Sequence, residues 1–256
     1  TAIATALAVS SGLGARSLWV AAAFLTGQLS VGWSNDWIDA ARDARNGRRD
    51  KPVGQGLLSV DTVRTAALTA LAVCVPLSLA LGRRAGTAHL LAVGSALAYD
   101  LGLKATVLSP VPYAVSFGLV PNVVALAGRD PRPAPWWSTA AGALLGVGAH
   151  LANALPDLEA DRATGIVGLP HRLGRRRAAV GCSALLLGAT ALLVWAPGPP
   201  GPAHLAGLAA AVGLTAAGLL RARRRPSSRA PFLAAVGVAL VDVGLLVARG
   251  APRRAA

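Results

Sequence analysis

Two short acidic stretches carry the chemistry this sequence offers. The first reads Asn35-Asp36-Trp37-Ile38-Asp39-Ala40-Ala41-Arg42-Asp43. The second reads Asn153-Ala154-Leu155-Pro156-Asp157-Leu158-Glu159-Ala160-Asp161. The chain has 11 acidic residues in 256, and Asp36, Asp39, Asp43, Asp157, Glu159 and Asp161 are all in these two stretches. Asn35, Asp39 and Asp43 are spaced i, i+4, i+8, within about an 80° arc of a helix. Asp157 and Asp161 repeat the i, i+4 spacing, and Asn153 precedes Asp157 by four. Each cluster is therefore expected to form a polar stripe on one helix face. Like charges at that spacing repel, so a cation must neutralise them. Magnesium suits oxygen donors and commonly bridges one or two carboxylates to substrate phosphates. Two facing carboxylate stripes can thus hold metal ions with a diphosphate between them. The plain alternative is a pair of solvated loops in which Asp39 and Asp43 pair with neighbouring arginines such as Arg42 and Arg45.

The elements that must position these stripes are apolar. Hydrophobic residues make up 54% of the chain, charged residues 14%, and the mean hydropathy is +0.54. A soluble domain carries about 25% charged residues. Nine apolar segments can be drawn, roughly 1–14, 17–38, 57–82, 86–103, 107–128, 136–155, 178–196, 203–220 and 231–248. Most approach the ~20 residues that cross a bilayer as a helix. The sequence therefore implies an all-α integral membrane bundle of about nine transmembrane helices, organised as one domain over residues 1–256. Asn46-Gly47, Lys51-Pro52, the three prolines between Arg129 and Pro135, and Pro197–Pro202 punctuate the segments. The chain contains no methionine. Thr1 is accordingly expected not to be a native start, with some N-terminal residues lacking.

The net charge of +14 comes from arginines in short loops. Without aromatic interleaving they argue for membrane orientation rather than nucleic-acid binding. If both acidic stretches face the cytoplasm, basic residues favour that side by about two to one. Arg83-Arg84 is the pair that fits least. Trp33, Trp37, Trp136, Trp137 and Trp195 fall near segment ends, where amphipathic rings suit the headgroup layer. Cys74 and Cys182 lie inside apolar runs and read as core residues rather than a disulfide. Arg175-Arg176-Arg177 and Arg221–Arg225 read as anchors on the inner face. Asp242 is an intramembrane carboxylate, expected to make a local polar contact near Arg249. His89, His171 and His204 form no metal set.

The order Asn35-Asp36-x-x-Asp39-x-x-x-Asp43, then Lys51-Pro52, resembles the first signature of the UbiA family of membrane prenyltransferases. Asp157-x-x-x-Asp161-x-x-x-Gly165, then Leu169-Pro170, resembles the second. Tyr99 through Lys104 resembles the tyrosine-plus-lysine loop between them. The resemblance covers nearly the whole chain. It implies an intramembrane cavity in which Asp36, Asp39, Asp43, Asp157 and Asp161 bind Mg²⁺ with an isoprenyl diphosphate. It also implies diphosphate contacts from Asn35, Lys51, Lys104, Arg162, Asn153 and Tyr99, with Asp39, Asp43, Asp157, Asp161 and Lys104 catalytic. The implied reaction is prenyl transfer to a small acceptor, aromatic or a quinone precursor, inside the membrane. Gly165 stands where some members place a third aspartate, which resembles the quinone-naphthoate, chlorophyll or archaeal-lipid branches more than the hydroxybenzoate branch. Two alternatives remain open from sequence. A membrane terpene cyclase would ionise the same diphosphate. An ion-coupled transporter would also use membrane acids, but nearer the midplane and with an internal repeat.

Overall fold

The computed structural model describes residues 1–45, 53, 55, 57–224 and 230–250. Among these the regular elements are all helical, in the order α1 (Ala2–Ser10), α2 (Arg16–Arg45), α3 (Val60–Ala80), α4 (Arg83–Asp100), α5 (Pro110–Leu126), α6 (Trp136–Ala154), α7 (Leu158–Ala163), α8 (Leu169–Trp195), α9 (Pro202–Arg224) and α10 (Ala230–Gly250). A single 3-10 turn, Leu103–Ala105, joins α4 to α5. Nine of the ten α-helices follow the nine apolar segments in order, and α7 is an added short helix carrying the second acidic stretch. Four helices are long and apolar enough to cross a membrane: Val60–Ala80, Leu169–Trp195, Pro202–Arg224 and Ala230–Arg249. Nine crossings are not established by these lengths. With 9 residues, α1 extends only about 13 Å, less than half a bilayer core.

The boundaries depart from the apolar runs at instructive places. α2 continues through the whole first acidic stretch to Arg45, so Asn35, Asp39 and Asp43 share one helix as expected. The second stretch does not. α6 ends at Ala154, a turn spans 155–157, and α7 begins afresh at Leu158. Pro156 has no N–H to donate and its ring crowds the preceding turn, which favours the break seen here, whereas Pro76 and Pro121 are accommodated inside α3 and α5. The expected continuous stripe from Asn153 to Asp161 is thus broken. Asp157 instead precedes α7, and its carbonyl accepts from the Asp161 N–H at 2.8 Å. α8 begins nine residues before its apolar run, with a kink at Gly174 (φ 77°, ψ 162°), a backbone shape that disfavours any side chain.

The molecule is apolar outside as well as inside. Leu18, Trp19, Leu91, Trp136, Leu233 and Leu240 are exposed, as lipid-facing surfaces require. Lipid tails are as apolar as leucine, so helices associate in a bilayer through close packing and polar contacts. Both occur here. α5 and α6 meet on glycines: a Cβ on Gly146 would lie 2.3 Å from the Tyr113 carbonyl oxygen, and one on Gly142 2.7 Å from that of Phe117. The Ser78 hydroxyl lies 2.8 Å from His89 Nδ1 and donates to the Cys74 carbonyl. The His89 ring sits 4.3 Å from Phe24, which fastens α2, α3 and α4 together. Asp242 is fully buried and accepts from the Thr190 hydroxyl at 2.6 Å, joining α10 to α8.

Gly146→Val forces α5 and α6 apart and is expected to cost about 1–3 kcal/mol or more. A Cβ at Gly94 meets nothing within 4 Å, so Gly94→Ala serves as the tolerated control. Thermal melts of the two purified variants in detergent, read by aggregation onset, test the difference. Equal melting temperatures would remove the close approach from the account of this pair.

Candidate functional site

The first acidic stretch occupies the last turns of α2. Its stripe faces the junction of α4 with the 3-10 turn. The Asn35 amide donates to Asp39 at 3.0 Å, one turn on, and to Asp100 at 2.9 Å, at the end of α4. Lys104 Nζ donates to both Asp39 oxygens, at 2.6 and 2.8 Å. Arg42 approaches the same carboxylate at 2.6 Å. Lys104 also lies 4.0 Å from Asp100. Asp39, Asp43, Asp100 and Lys104 are all buried. Asp36 is half-buried on the neighbouring face. Lys104, expected to face a phosphate, is thus seen on a carboxylate, where it and Arg42 supply the neutralisation. Pairing with Arg42 is the plain reading of these acids, and Lys104, 65 residues away, extends it into a tertiary contact.

The second stretch reaches the same end of the bundle by a different route. The segment after α7 folds onto the 3-10 turn. The Leu169 N–H donates to Ser109 Oγ at 3.0 Å. A Cβ on Gly168 would lie 2.5 Å from the Lys104 carbonyl oxygen and 2.8 Å from Ser109 Oγ, so only glycine permits this approach. Ser109 Oγ in turn lies 2.9 Å from His150 Nε2 in the last turns of α6. Tyr99 is the residue between the two motifs: it lies within electrostatic range of Asp100, Asp161 and Asp39. Its ring stands edge-on to Tyr113 at 5.2 Å and to His150 at 5.7 Å. Asn153 is exposed in the last turn of α6.

The structure adds one residue that the sequence reading passed over. His171 is buried in the first turn of α8 and lies 3.3 Å from Asp161 Oδ2 through its Nε2. Its Nδ1 accepts from the Gly168 N–H at 3.2 Å. A ring nitrogen that accepts carries no proton, so in the neutral ring Nε2 holds it and donates to Asp161. The signal available in sequence was a histidine directly after Leu169-Pro170. Its meaning required knowing that the chain folds back over ten residues to Asp161. Arg162, expected at a phosphate, donates to the His171 carbonyl and closes the same loop. Asp157 is half-buried at the start of α7. Lys51 lies outside the described residues.

The donors fit magnesium in kind: every candidate ligand is a carboxylate, a hard oxygen donor. They do not form a ready-made cage. Among the described residues no three histidine, cysteine or acidic side chains stand close enough together to hold a metal ion. Magnesium usually takes only one or two carboxylates and completes its shell with phosphate and water. Asp39 also has both oxygens engaged by Lys104, Arg42 and Asn35. A metal reaching it must therefore exchange with a cation already there.

Among solved structures, a UbiA homolog from Aeropyrum pernix K1 in its apo form matches with a TM-score of 0.76 at 19% identity, covering 96% of each chain. A structure concerned with digeranylgeranylglyceryl phosphate synthase in membranes matches with a TM-score of 0.66 at 16% identity, covering 96% of this chain and 90% of that one. A UbiA homolog from Archaeoglobus fulgidus bound to GPP and Mg²⁺ matches with a TM-score of 0.60 at 18% identity, covering 98% and 87%. At these identities the likeness is one of fold. No protein of curated function matches the sequence. The UbiA prenyltransferase family model matches residues 1–240. With the all-helical bundle and apolar spans already described, that match over nearly the whole length makes the chain a member of the UbiA prenyltransferase family.

Proposed function

We propose that this protein, acting as one catalytic unit, transfers the prenyl group of an isoprenyl diphosphate to a small acceptor within the membrane, with Mg²⁺ as cofactor. The observation that carries the reading is that buried Lys104 sits on Asp39 while the segment after the second acidic stretch, Gly168–Leu169, packs on the Lys104 backbone and Ser109. The Archaeoglobus homolog is described with GPP and Mg²⁺ bound, and the same pairing of ligand and ion is proposed here.

Asp36, Asp39, Asp43, Asp157 and Asp161 would hold the metal, which when bound supplies charge neutralisation for the departing diphosphate. Asn35 keeps the Asp39 carboxylate aimed toward α4. Lys104 and Arg42, already beside Asp39, have only a short swing to phosphate oxygens. There Lys104 acts as a point charge and Arg42 through its planar fork. Lys51, Arg162 and Asn153 are proposed as further diphosphate contacts, and Arg162 must first leave the His171 carbonyl. As the carbon–oxygen bond breaks, its electron pair goes to the diphosphate, and these donors bind that developing charge more strongly than the ground state. The allylic cation left behind would face the Tyr99, Tyr113, Phe117 and His150 rings, which offer π-electron density without a nucleophilic charge. The apolar surroundings keep water from quenching it. An acceptor carbon or oxygen then forms the new bond and sheds its proton. We place both acidic stretches on the cytoplasmic side, supported by the excess of basic residues at that end.

Purified protein incubated with C10, C15 and C20 prenyl diphosphates, Mg²⁺ and a panel of aromatic, quinone-precursor and glyceryl phosphate acceptors tests the reaction by product mass. Asp39→Ala and Asp157→Ala are each expected to lower turnover by about a hundredfold or more, with helical circular dichroism unchanged. Chelation with EDTA should stop the wild-type reaction. Near-normal turnover in either variant removes these residues from the site, and a product without acceptor identifies a cyclase instead.

The His171–Asp161 contact makes a separate prediction. His171→Ala is expected to raise the half-saturating Mg²⁺ concentration about tenfold, as loss of a ligand-orienting partner does. His171→Gln, which restores a donor at the Nε2 position, should recover most of it. An unchanged Mg²⁺ requirement in His171→Ala would reduce the histidine to a loop clasp.

Sidedness can be read directly, because Cys74 and Cys182 are both buried. A cysteine placed by Glu159→Cys should react with a membrane-impermeant maleimide in inside-out vesicles and not in right-side-out ones. The opposite pattern inverts the topology.

A further inference from the structure

A polar cleft opens beside the second acidic stretch, with Asp157, proposed above as a metal ligand, and Glu159 in its wall. It has a volume of about 810 Å³ and lies among the α6–α7 turn, α8, α9 and the start of α10. No residue of α2, α4 or the 3-10 turn lines it, so it is separate from the Asp39–Lys104 cluster. Arg175 and Arg176 enter from α8, and Arg223 enters from α9. All three are exposed. Among the described residues none of the three makes an ion pair or a side-chain hydrogen bond. Glu159 lines the same cleft and likewise pairs with none of them. Apolar Ala179, Val180, Leu219 and Phe232 line the same cleft.

Simple positive-inside anchoring does not require this arrangement. Arginines that only orient spans need no shared cavity. Here guanidinium groups from two helices, distant in sequence, converge on one cleft that apolar side chains also line. Arginine forks match phosphate oxygens two at a time, and a basic pocket between membrane helices is suited to a phosphate headgroup whose chain continues into the bilayer. The volume lies within the range of small-ligand sites. We infer that the Arg175–Arg176–Arg223 cleft binds a phosphate ester carrying an apolar chain, with the phosphate on the arginines and the first part of the chain against Val180, Leu219 and Phe232. The cleft adjoins the proposed transfer site through Asp157, but the binding inferred here is carried by the arginines and requires no turnover. Two sources share the required chemistry: a bilayer phospholipid and an isoprenyl phosphate.

The test is a binding titration, which needs no turnover. Phosphatidylglycerol is titrated into the purified full chain in uncharged detergent, and bound lipid is counted by native mass spectrometry. The triple variant Arg175→Gln/Arg176→Gln/Arg223→Gln is expected to bind about tenfold to a hundredfold more weakly. A charge-matched control, Arg83→Gln/Arg84→Gln/Arg129→Gln, alters exposed arginines elsewhere and should lose less than about threefold. Equal losses in both triples, or none in the cleft triple, overturn the site. Competition then separates the sources. Displacement of the lipid by farnesyl phosphate at equal concentration assigns an isoprenyl phosphate, and resistance to it assigns the phospholipid. Displacement by inorganic phosphate with equal potency would show that the apolar wall contributes nothing, which also overturns the proposal.

Discussion

The buried carboxylate of Asp39 is the constraint on which the rest of the site depends. A charge taken out of water must be paired and hydrogen-bonded, and a buried pair that loses one partner typically costs about 3–5 kcal/mol. Asp39 meets the requirement with Lys104, Arg42 and Asn35. Lys104 and Asp100 are both far from Asp39 in sequence, so the end of α2 is fixed only when the α4–α5 junction is in place. The 3-10 turn that carries Lys104 also carries the backbone on which Gly168 rests. One ion pair therefore sets the position of the first acidic stretch, and its backbone positions the approach of the second.

That arrangement has a chemical consequence. Lysine and arginine on a carboxylate are held where a phosphate and its metal would come. Under the proposed function Asp39 would hold the metal and Lys104 would turn to a phosphate oxygen, so the ligand would bring a partner for each. Neither the carboxylate nor the lysine is left buried without a partner during such an exchange. The desolvation cost of the buried charges is met by the fold, and ligand binding mainly redistributes contacts among groups that are already dry.

How much of this was legible depended on whether helix periodicity held. The apolar segments gave the helix order, because length and hydropathy act locally. The first stripe was legible for the same reason: α2 runs unbroken through Asn35, Asp39 and Asp43. The second was misjudged as a continuous stripe because Pro156 interrupts it and turns the chain into α7. Lys104 could be singled out from the resemblance of the Tyr99–Lys104 loop, but its partner Asp39 could not, since that contact arises from packing α2 against α4. His171 was set aside for want of a neighbouring metal ligand, although its partners are a backbone N–H and a carboxylate brought near by a loop. Arg175, Arg176 and Arg223 were read as separate anchors because nothing local tells that α8 and α9 place them around one cleft.

The contacts that hold this membrane bundle together also position its acidic end. Without a hydrophobic gain between helices, stability has to come from close contact and from polar pairs. The glycines at α5–α6 supply the first, and Ser78–His89 and Thr190–Asp242 supply the second within the spans. At the acidic end the polar pairs are the groups proposed to act on the diphosphate. The same Asn35, Lys104 and Ser109 contacts that join helices also aim the carboxylates and the lysine. Preorganisation is thus a by-product of assembly in lipid: the donors are fixed before any ligand arrives, and so need little reorganisation when charge develops on a leaving group.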